Sequence, residues 1–438
     1  MIRIGKSSHW LCRLCCGVAA ALTVVLASCL KDQDDYFDRS ASERLQDAMA
    51  QVKQTLRSSP YGWEFDYYPG GDLAYGGVVY TVRFDSLTAT VGCSLMPDSS
   101  ETTYYRITND NGPVLTFDTY NRLMHYFSTP SSSEYEAKGG EFEFVVTEVT
   151  DDLITLYGKK TRNTMYLRRL TAPADDYATQ TVAVFDNIPQ GFSGTLGTAQ
   201  VEGFISLVNK RLTIVSDNDS VSMPFAFNSQ GLRLYRPLTI GGLSIQSLCY
   251  DAETGVFTSD DKGCEGLSLQ AIPYADDVVR YGDYEGNYTL RYDGTRTASV
   301  SLEPNRLDGT YRLKGLSSHY ELVLNYDYAT GCLRLAPQIL GQYNGATVYF
   351  LSFSSASGRV WLAEEASFTL RWNGNKNRVA YNFSATNPAL YACDSAVLYL
   401  ISFDAEGNTV ASLVTASDWT VNGSALFYNL GSLQKQRN

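Results

Sequence analysis

Histidine is scarce in this chain, and its scarcity limits the chemistry that the protein can perform. Only His9, His125 and His319 occur in 438 residues. A catalytic zinc site needs three protein ligands, and beyond residue 28 neither an HExxH motif nor a closely spaced cysteine pair supplies them. The sequence therefore predicts no metal site, and we expect no cofactor.

Motifs for nucleophilic and phosphate chemistry are missing as well. The segment Gly191-Phe192-Ser193-Gly194 is too short for a Gly-x-Ser-x-Gly elbow, and no phosphate-binding glycine loop occurs. Asp217-Asn218-Asp219 lacks the spaced ligands and the glycine of a calcium loop, so a polar turn is the better interpretation. We predict no catalytic residue, although a carboxylate pair of the glycoside-hydrolase kind stays open, because such a pair needs only spatial proximity.

Basic residues are outnumbered by acidic ones. The chain contains 35 Lys+Arg and 47 Asp+Glu, which gives a formal net charge of −12. Residues 1–28 hold three of the basic residues and no acidic one, so the remainder carries −15. Nucleic acids and anionic membrane surfaces are both bound mainly through Lys and Arg. We therefore expect no nucleic-acid partner, and a membrane contact that depends on something other than basic residues.

The N-terminal apolar run, residues 17–27, is shorter than the roughly 20 residues of a membrane-spanning helix. Three basic residues precede it, and small residues lead to Cys29, as in a secretory signal. We predict a signal peptide over residues 1–28, lipid attachment at Cys29 and an acidic tether over residues 29–39. The lipid would hold the protein at the membrane, since each buried methylene contributes about 0.8 kcal/mol.

Five cysteines follow Cys29, an odd number without a close pair: Cys93, Cys249, Cys264, Cys332 and Cys393. An oxidising envelope permits disulfides. We expect Cys249 and Cys264 to form the most plausible pair, because they flank one turn. Cys93 alternates in phase with apolar neighbours, which favours a buried free thiol.

Long helical periodicity is scarce, and period-two alternation dominates after residue 60, so the predicted fold class is mainly β. A capping box of Ser40 and Glu43 begins one helix, which Pro60 ends. A second short helix is predicted near residues 175–188. Each helix precedes an antiparallel β module, sandwich or barrel-like. The predicted modules cover residues 40–171, 172–275 and 276–438.

A turn recurs in which an aromatic residue ends a strand, Asp caps the turn and Gly adopts the left-handed conformation. It occurs three times: Tyr250-Asp251 to Gly255, Tyr326-Asp327 to Gly331, and Phe403-Asp404 to Gly407. These aspartates are interpreted as structural. Two hairpins are also predicted, at Asp293-Gly294 and at Asn373-Gly374-Asn375.

Four segments resemble a known family. They are Gly112-Pro-Val-Leu-Thr-Phe-Asp118-Thr-Tyr120-Asn121, His125-Tyr126-Phe127, Gly139-Gly140-Glu141-Phe142-Glu143-Phe144 and Gly158-Lys159-Lys160. With the first helix and the Gly62-Trp63 strand start, they resemble the Bacteroidota lipoproteins of domain-of-unknown-function family 4302. The resemblance covers most of residues 36–170, and the remainder more loosely. It implies an accessory component of SusC/SusD-type uptake systems, and it supplies no catalytic residues.

Three side chains near these segments are candidates for a binding site. Tyr120, His125 and Tyr126 could form an aromatic–polar platform for a sugar ring, or could simply pack as aromatic residues near turns do. The leading hypothesis is a lipid-anchored, non-catalytic protein of the outer membrane, at the cell surface or on its periplasmic face. It would bind a nutrient, a glycan or a peptide, or a TonB-dependent SusC/SusD-type transporter. The alternatives are an envelope hydrolase with a carboxylate pair and a structural or adhesin protein.

Overall fold

The structure is a computed structural model that describes residues 39–110, 112–130, 137–216, 219–374 and 380–436. Within these ranges the chain forms three closed eight-stranded barrels, one further sheet of six strands and two α-helices. All the strand pairs are antiparallel, which confirms the predicted mainly β class with two helices that each precede a sheet. The predicted signal peptide, Cys29, the tether up to residue 38, Asp217-Asn218 and Asn375 lie outside the described residues.

The first helix, α1 (Ala41–Arg57), begins and ends where the sequence predicts. Ser40 Oγ accepts a hydrogen bond from the Glu43 amide at 3.2 Å, and Glu43 Oε2 accepts one from the Ser40 amide at 3.0 Å. This reciprocal pair is the predicted capping box. Val52 and Leu56 are buried, so the helix packs its apolar face on the first barrel.

The first barrel is an up-and-down meander in which each strand pairs with the next and the last pairs with the first. Its strands are β1 (Trp63–Tyr67), β2 (Val78–Phe84), β3 (Thr88–Cys93), β4 (Met96–Asn109), β5 (Pro113–Phe117), β6 (Glu143–Val149), β7 (Leu153–Gly158) and β8 (Thr164–Arg169). The alternation predicted along β2 places Tyr80 and Val82 in the interior.

The second helix and the second barrel repeat this build. Helix α2 (Ala174–Asn187) buries Ala178 and Phe185, as its periodicity predicts. The barrel is again a closed meander, of strands β9 (Gly191–Leu196), β10 (Ala199–Ser206), β11 (Arg211–Ser216), β12 (Asp219–Phe227), β13 (Gly231–Ile240), β14 (Leu243–Asp251), β15 (Val256–Thr258) and β16 (Leu269–Ile272).

The third barrel is interrupted by two insertions. Its strands are β17 (Gly286–Tyr292), β18 (Arg296–Asn305), β19 (Thr310–Lys314), β20 (Leu322–Asp327), β21 (Cys332–Leu335), β25 (Phe368–Trp372), β26 (Ala380–Ala385) and β30 (Ser432–Lys435). The inserted strands are β22 (Gln338–Tyr343), β23 (Ala346–Phe353), β24 (Val360–Trp361), β27 (Ser395–Phe403), β28 (Thr409–Leu413) and β29 (Leu426–Phe427). The insertions meet where β23 pairs with β27, and together they form the six-stranded sheet.

Many of the chain's 31 tyrosines belong to the core. A short 3₁₀ helix, Tyr281–Tyr284, leads into the third barrel, and neighbouring tyrosines surround it. Their hydroxyls donate to backbone carbonyls, as Tyr284 does to Gly331 at 2.8 Å and Tyr326 to Val279 at 2.5 Å. Buried tyrosine therefore satisfies the carbonyls of an irregular connection. The high tyrosine content is thus largely structural and is weak evidence for a sugar-binding surface.

Ion pairs and close backbone contacts join the barrels. Arg233 of the second barrel reaches Glu64 at 2.5 Å and Asp66 at 2.9 Å on β1, whose residues are all buried. Arg306 of the third barrel forms a two-pronged pair with Asp186 of α2, at 2.9 and 2.7 Å. These contacts fix the positions of neighbouring barrels.

The three recurrent turns have the predicted geometry. In the first, Asp251 Oδ1 accepts from the Glu253 amide at 2.9 Å, and Gly255 has φ +68°. Asp327 and Asp404 accept the equivalent bonds from the amides two residues later, those of Ala329 and Glu406. The Thr254 hydroxyl and the Glu253 amide lower the pKa of Asp251, and the side chain and the amide of Asn408 lower the pKa of Asp404. The aspartates are therefore turn caps, as interpreted.

The expected Cys249–Cys264 disulfide is wrong, because all five cysteines in the described ranges are free. Cys264 Sγ lies 3.4 Å from the carbonyl oxygen of Ser244, whereas Cys249 lies five residues further along the same strand. Five residues of a strand span about 17 Å, well beyond the reach of a disulfide. Cys93 is a buried thiol, as expected, and burial raises its pKa to about 12.

Candidate functional site

A tightly held turn after β5 presents two of the three predicted site residues. Asn121 is buried, and its Oδ1 accepts hydrogen bonds from the amides of Leu123 and Met124 at 3.1 and 3.0 Å. Leu123, Met124 and Phe127 are buried beneath the turn. The Asn121 cap therefore fixes the backbone that carries Tyr120 and His125.

Tyr120, His125 and Phe142 form a row of three rings, which we call the aromatic row. The ring centroids of Tyr120 and His125 lie 5.4 Å apart, and those of His125 and Phe142 lie 5.2 Å apart with an angle of 26° between the planes. Tyr120 is 66% exposed and Phe142 is 40% exposed. Burial lowers the pKa of His125, so at neutral pH this ring is an uncharged member of the row.

Tyr126 does not join the row. Its hydroxyl donates to Asp308 Oδ2 of the third barrel at 2.9 Å, and its ring packs edge-on against Phe127 at 5.0 Å. The predicted platform of Tyr120, His125 and Tyr126 is therefore split, because Tyr126 lies at a junction between barrels. His319, the other histidine that the structure describes, lies in the third barrel region: its ring stacks on Trp419 and its Nε2 lies 2.7 Å from Asp418 Oδ2.

A cleft of about 410 Å³ adjoins the row and shares Phe142 with it. Lys159 lies on its wall, where Nζ pairs with Asp110 at 2.9 Å and with Glu143 at 3.7 Å. Glu141 is buried in the wall, and its Oε1 accepts the Lys160 amide at 2.6 Å and the Thr161 amide. The cleft thus combines an aromatic face with acidic and basic groups that already have partners.

The buried carboxylate of the cleft has a structural role in the turn beside it. Burial raises the pKa of Glu141, whereas the turn amides that it accepts act in the opposite direction. Its carboxylate therefore holds the turn after β7. No group of three metal-ligating side chains occurs among the residues that the structure describes. The arrangement can stack a ligand ring and hydrogen-bond its edge.

Two of the larger clefts lie at other places in the fold. One, of about 650 Å³, is at the joint between the second and third barrels and includes Tyr250, Gln270 and Tyr274. The other, of about 580 Å³, lies between the outside of β2–β4 and the start of α2.

None of the helices that the structure describes is long and apolar enough to cross a membrane.

Comparison with known families matches residues 33–252 to the family described as domain of unknown function DUF4302. The match covers just over half of the chain. The chain belongs to this family. Residues 260–399 match a second domain of unknown function, DUF4987.

The DUF4302 region contains the aromatic row and the whole first barrel, and it ends after β14, inside the second barrel. The DUF4987 region begins before β16 and contains much of the inserted sheet. The two family regions therefore share the second barrel.

No curated protein matches the chain. Among solved structures, a mosquitocidal holotoxin is similar over 84% of this chain and 69% of its own length, at 10% sequence identity and a TM-score of 0.12.

Sequence reasoning missed Phe142 as a member of the row. In the DUF4302 segment Glu141 to Phe144, alternation places Phe142 on the same face as Phe144, which is buried. Strand β6 begins only at Glu143, so alternation does not extend back to Phe142. The sequence signal that could have indicated Phe142 was its place in a family segment, because the family segments quoted above lie next to one another in the fold. The Phe117 amide donates to the Phe142 carbonyl, and the Lys159 amide donates to the Glu143 carbonyl.

Proposed function

We propose that this protein is a non-catalytic accessory component of a Bacteroidota cell envelope, which holds a glycan ligand at the aromatic row. In this proposal, lipid on Cys29 anchors it to the outer membrane at the cell surface, and it acts beside a TonB-dependent SusC/SusD-type transporter. The observation that carries the binding role is the exposed row of Tyr120, His125 and Phe142 beside its cleft.

The chemistry of the row suits an uncharged ring better than an ion. Sugar rings present C–H groups that pack on aromatic faces, and their hydroxyls need hydrogen-bonding groups at the edge. The cleft provides such groups in Lys159, Glu143 and Ser128. Lys159 already pairs with Asp110 and Glu143, so a neutral ligand can use these groups at its edge without bringing a charge of its own.

The binding role is tested with the full-length protein in detergent on a glycan array and a peptide panel. We expect Tyr120→Ala and Phe142→Ala each to weaken binding about tenfold, which corresponds to about 1.4 kcal/mol of lost stacking. Phe204→Ala is the matched control, since Phe204 is similarly exposed but lies on the second barrel. Absence of binding to every glycan and peptide, with no co-purifying transporter, would reject the proposal.

The anchoring role has a separate test in cells. We expect Cys29→Ser to move the protein from the outer-membrane fraction to the soluble fraction, because the acylated thiol is lost. Surface exposure is measured by adding protease to intact cells. A Cys29→Ser protein that stays in the membrane fraction contradicts the lipid anchor.

One observation favours the alternative of an envelope hydrolase. Glu141 and Glu143 line the same cleft, and burial raises the pKa of Glu141, as a general acid requires. Glycan turnover by the wild-type protein that falls at least a hundredfold in both Glu141→Gln and Glu143→Gln would establish this function. Turnover that persists in both variants excludes this pair.

A further inference from the structure

The inserted sheet is not needed to close the third barrel. Strand β21 pairs directly with β25, and β26 pairs directly with β30, so the barrel is complete without the two insertions. One face of the inserted sheet packs on the barrel, where Val348, Phe350 and Leu398 join the main core. On the opposite face, Leu351 and Val397 are buried in a smaller cluster with Phe353, so the part of the insertions that is open to another role is the rest of that face, towards β28.

The opposite face carries side chains of one kind. Register places Ile339, Tyr349, Tyr399 and Leu413 in a single line across β22, β23, β27 and β28. The neighbouring positions on the same face are Thr347, Ile401, Ala411, Phe403 and Thr409. None of these nine residues is charged, in a chain with 82 charged residues. Strands β23 and β27 are thus apolar on both faces, which is typical of strands that are covered on both sides.

The edge of this sheet is equally unprotected. All five residues of β28 are exposed, and the strand pairs only with β27 in the part of the chain that the structure describes. Natural edge strands usually carry lysine, proline or a bulge that blocks further pairing. The β28 sequence, Thr-Val-Ala-Ser-Leu, contains neither lysine nor proline, and its register with β27 is unbroken.

We propose that the partner of this edge is β28 of a second copy, paired antiparallel about a twofold axis at Ala411. This pairing places Ala411 opposite itself, Val410 opposite Ser412 and Thr409 opposite Leu413, so the interface is self-complementary as a twofold dimer requires. Uncharged residues meet uncharged residues, whereas contacts elsewhere would bring together surfaces of a chain with a formal charge of −12. The two apolar faces would then continue each other across the joined sheet.

The size of the edge sets the strength of the dimer. Five residues provide about 17 Å of shared strand. With the adjoining side chains included, we expect the interface to bury less than about 1,200 Å² of accessible surface in total, which is small for a specific interface. We therefore expect a reversible dimer with a dissociation constant in the micromolar range, which high local density on a surface would favour.

The test measures the molar mass of the full-length protein in density-matched detergent by sedimentation equilibrium, between about 1 and 200 µM. The wild-type mass should double over this range. Ala411→Lys should remain monomeric, because two lysines then face each other across the axis. Leu87→Lys is the matched control, since Leu87 is exposed in the first barrel and gains the same charge.

A mixture of variants distinguishes this axis from any other interface. Ala411→Lys and Ala411→Glu, each monomeric alone, should associate when mixed, because Lys then faces Glu. Any one of three results overturns the proposal. The wild-type protein is monomeric at every concentration, Ala411→Lys still forms the dimer, or the mixture of Ala411→Lys and Ala411→Glu fails to associate. Far-ultraviolet circular dichroism of each variant confirms that the strands are retained.

Discussion

Lys210 shows at the scale of a single residue how burial sets a charge. It is buried in the second barrel, and its Nζ donates to the Leu307 carbonyl of the third barrel at 3.1 Å. Gly76 of the first barrel approaches so closely that an added Cβ would lie 2.5 Å from Lys210 Cβ. Burial lowers the pKa of Lys210 to about 8. The charged form is therefore costly in the folded state.

This pKa predicts a rise of stability with pH. Between pH 8 and the ordinary lysine value of 10.5, the unfolded state binds the proton that the folded state has released. The free energy of unfolding should therefore rise across this window, by on the order of 3 kcal/mol from Lys210 alone. Urea unfolding of the wild type and of Lys210→Met at each pH isolates this contribution, because the other titrating groups cancel in the difference.

Exposed Lys53 provides the control for this measurement. Lys53→Met should leave the pH dependence of the wild type unchanged. If the free energy of unfolding changes with pH in the same way in the wild type and in Lys210→Met from pH 7 to pH 10, Lys210 is hydrated and not buried.

At the scale of the element, α1 depends on its capping box and on its docked face. Ser40→Ala removes the side chain that accepts the Glu43 amide, and we expect it to lower the free energy of unfolding by about 1 kcal/mol. Leu56→Ala should cost about 2–4 kcal/mol, because the side chain is buried against the barrel. Urea unfolding measures both losses. Ser42→Ala, on an exposed residue of the same turn, should change stability little, and an equal loss there would refute the cap as the cause.

At the scale of the whole molecule, the ion pairs between the barrels decide whether they unfold together. Arg233→Met leaves Glu64 and Asp66 buried without this partner, and we expect a loss of about 3–5 kcal/mol. Because Arg233 joins two barrels, calorimetry should also show separated transitions. Arg236→Met removes the same charge from an exposed neighbour and should cost less than about 0.5 kcal/mol. A single transition with unchanged stability in Arg233→Met would show that the barrels do not depend on this contact.

The local sequence was sufficient to predict the helix caps, the turns and the hairpins. The Ser40–Glu43 cap, the Asp251 turn and the Asp293-Gly294 hairpin involve residues within about five positions, so their hydrogen bonds follow from the sequence directly. The candidate site was only partly predictable for the same reason. Tyr120 and His125 are held by one turn, whereas Phe142 and the Asp308 partner of Tyr126 come from distant parts of the chain.

The sequence by itself determined the mainly β class, both helices, the capped turns and the family membership, because each depends on short-range patterns. Only the tertiary structure decided that the modules close as barrels, that Cys249 and Cys264 stay apart, and that two insertions about fifty residues apart pair as β23 and β27. Alternation states which face of a strand is apolar but not which strand lies beside it. Partners far apart in the chain are selected by the packing of the whole fold.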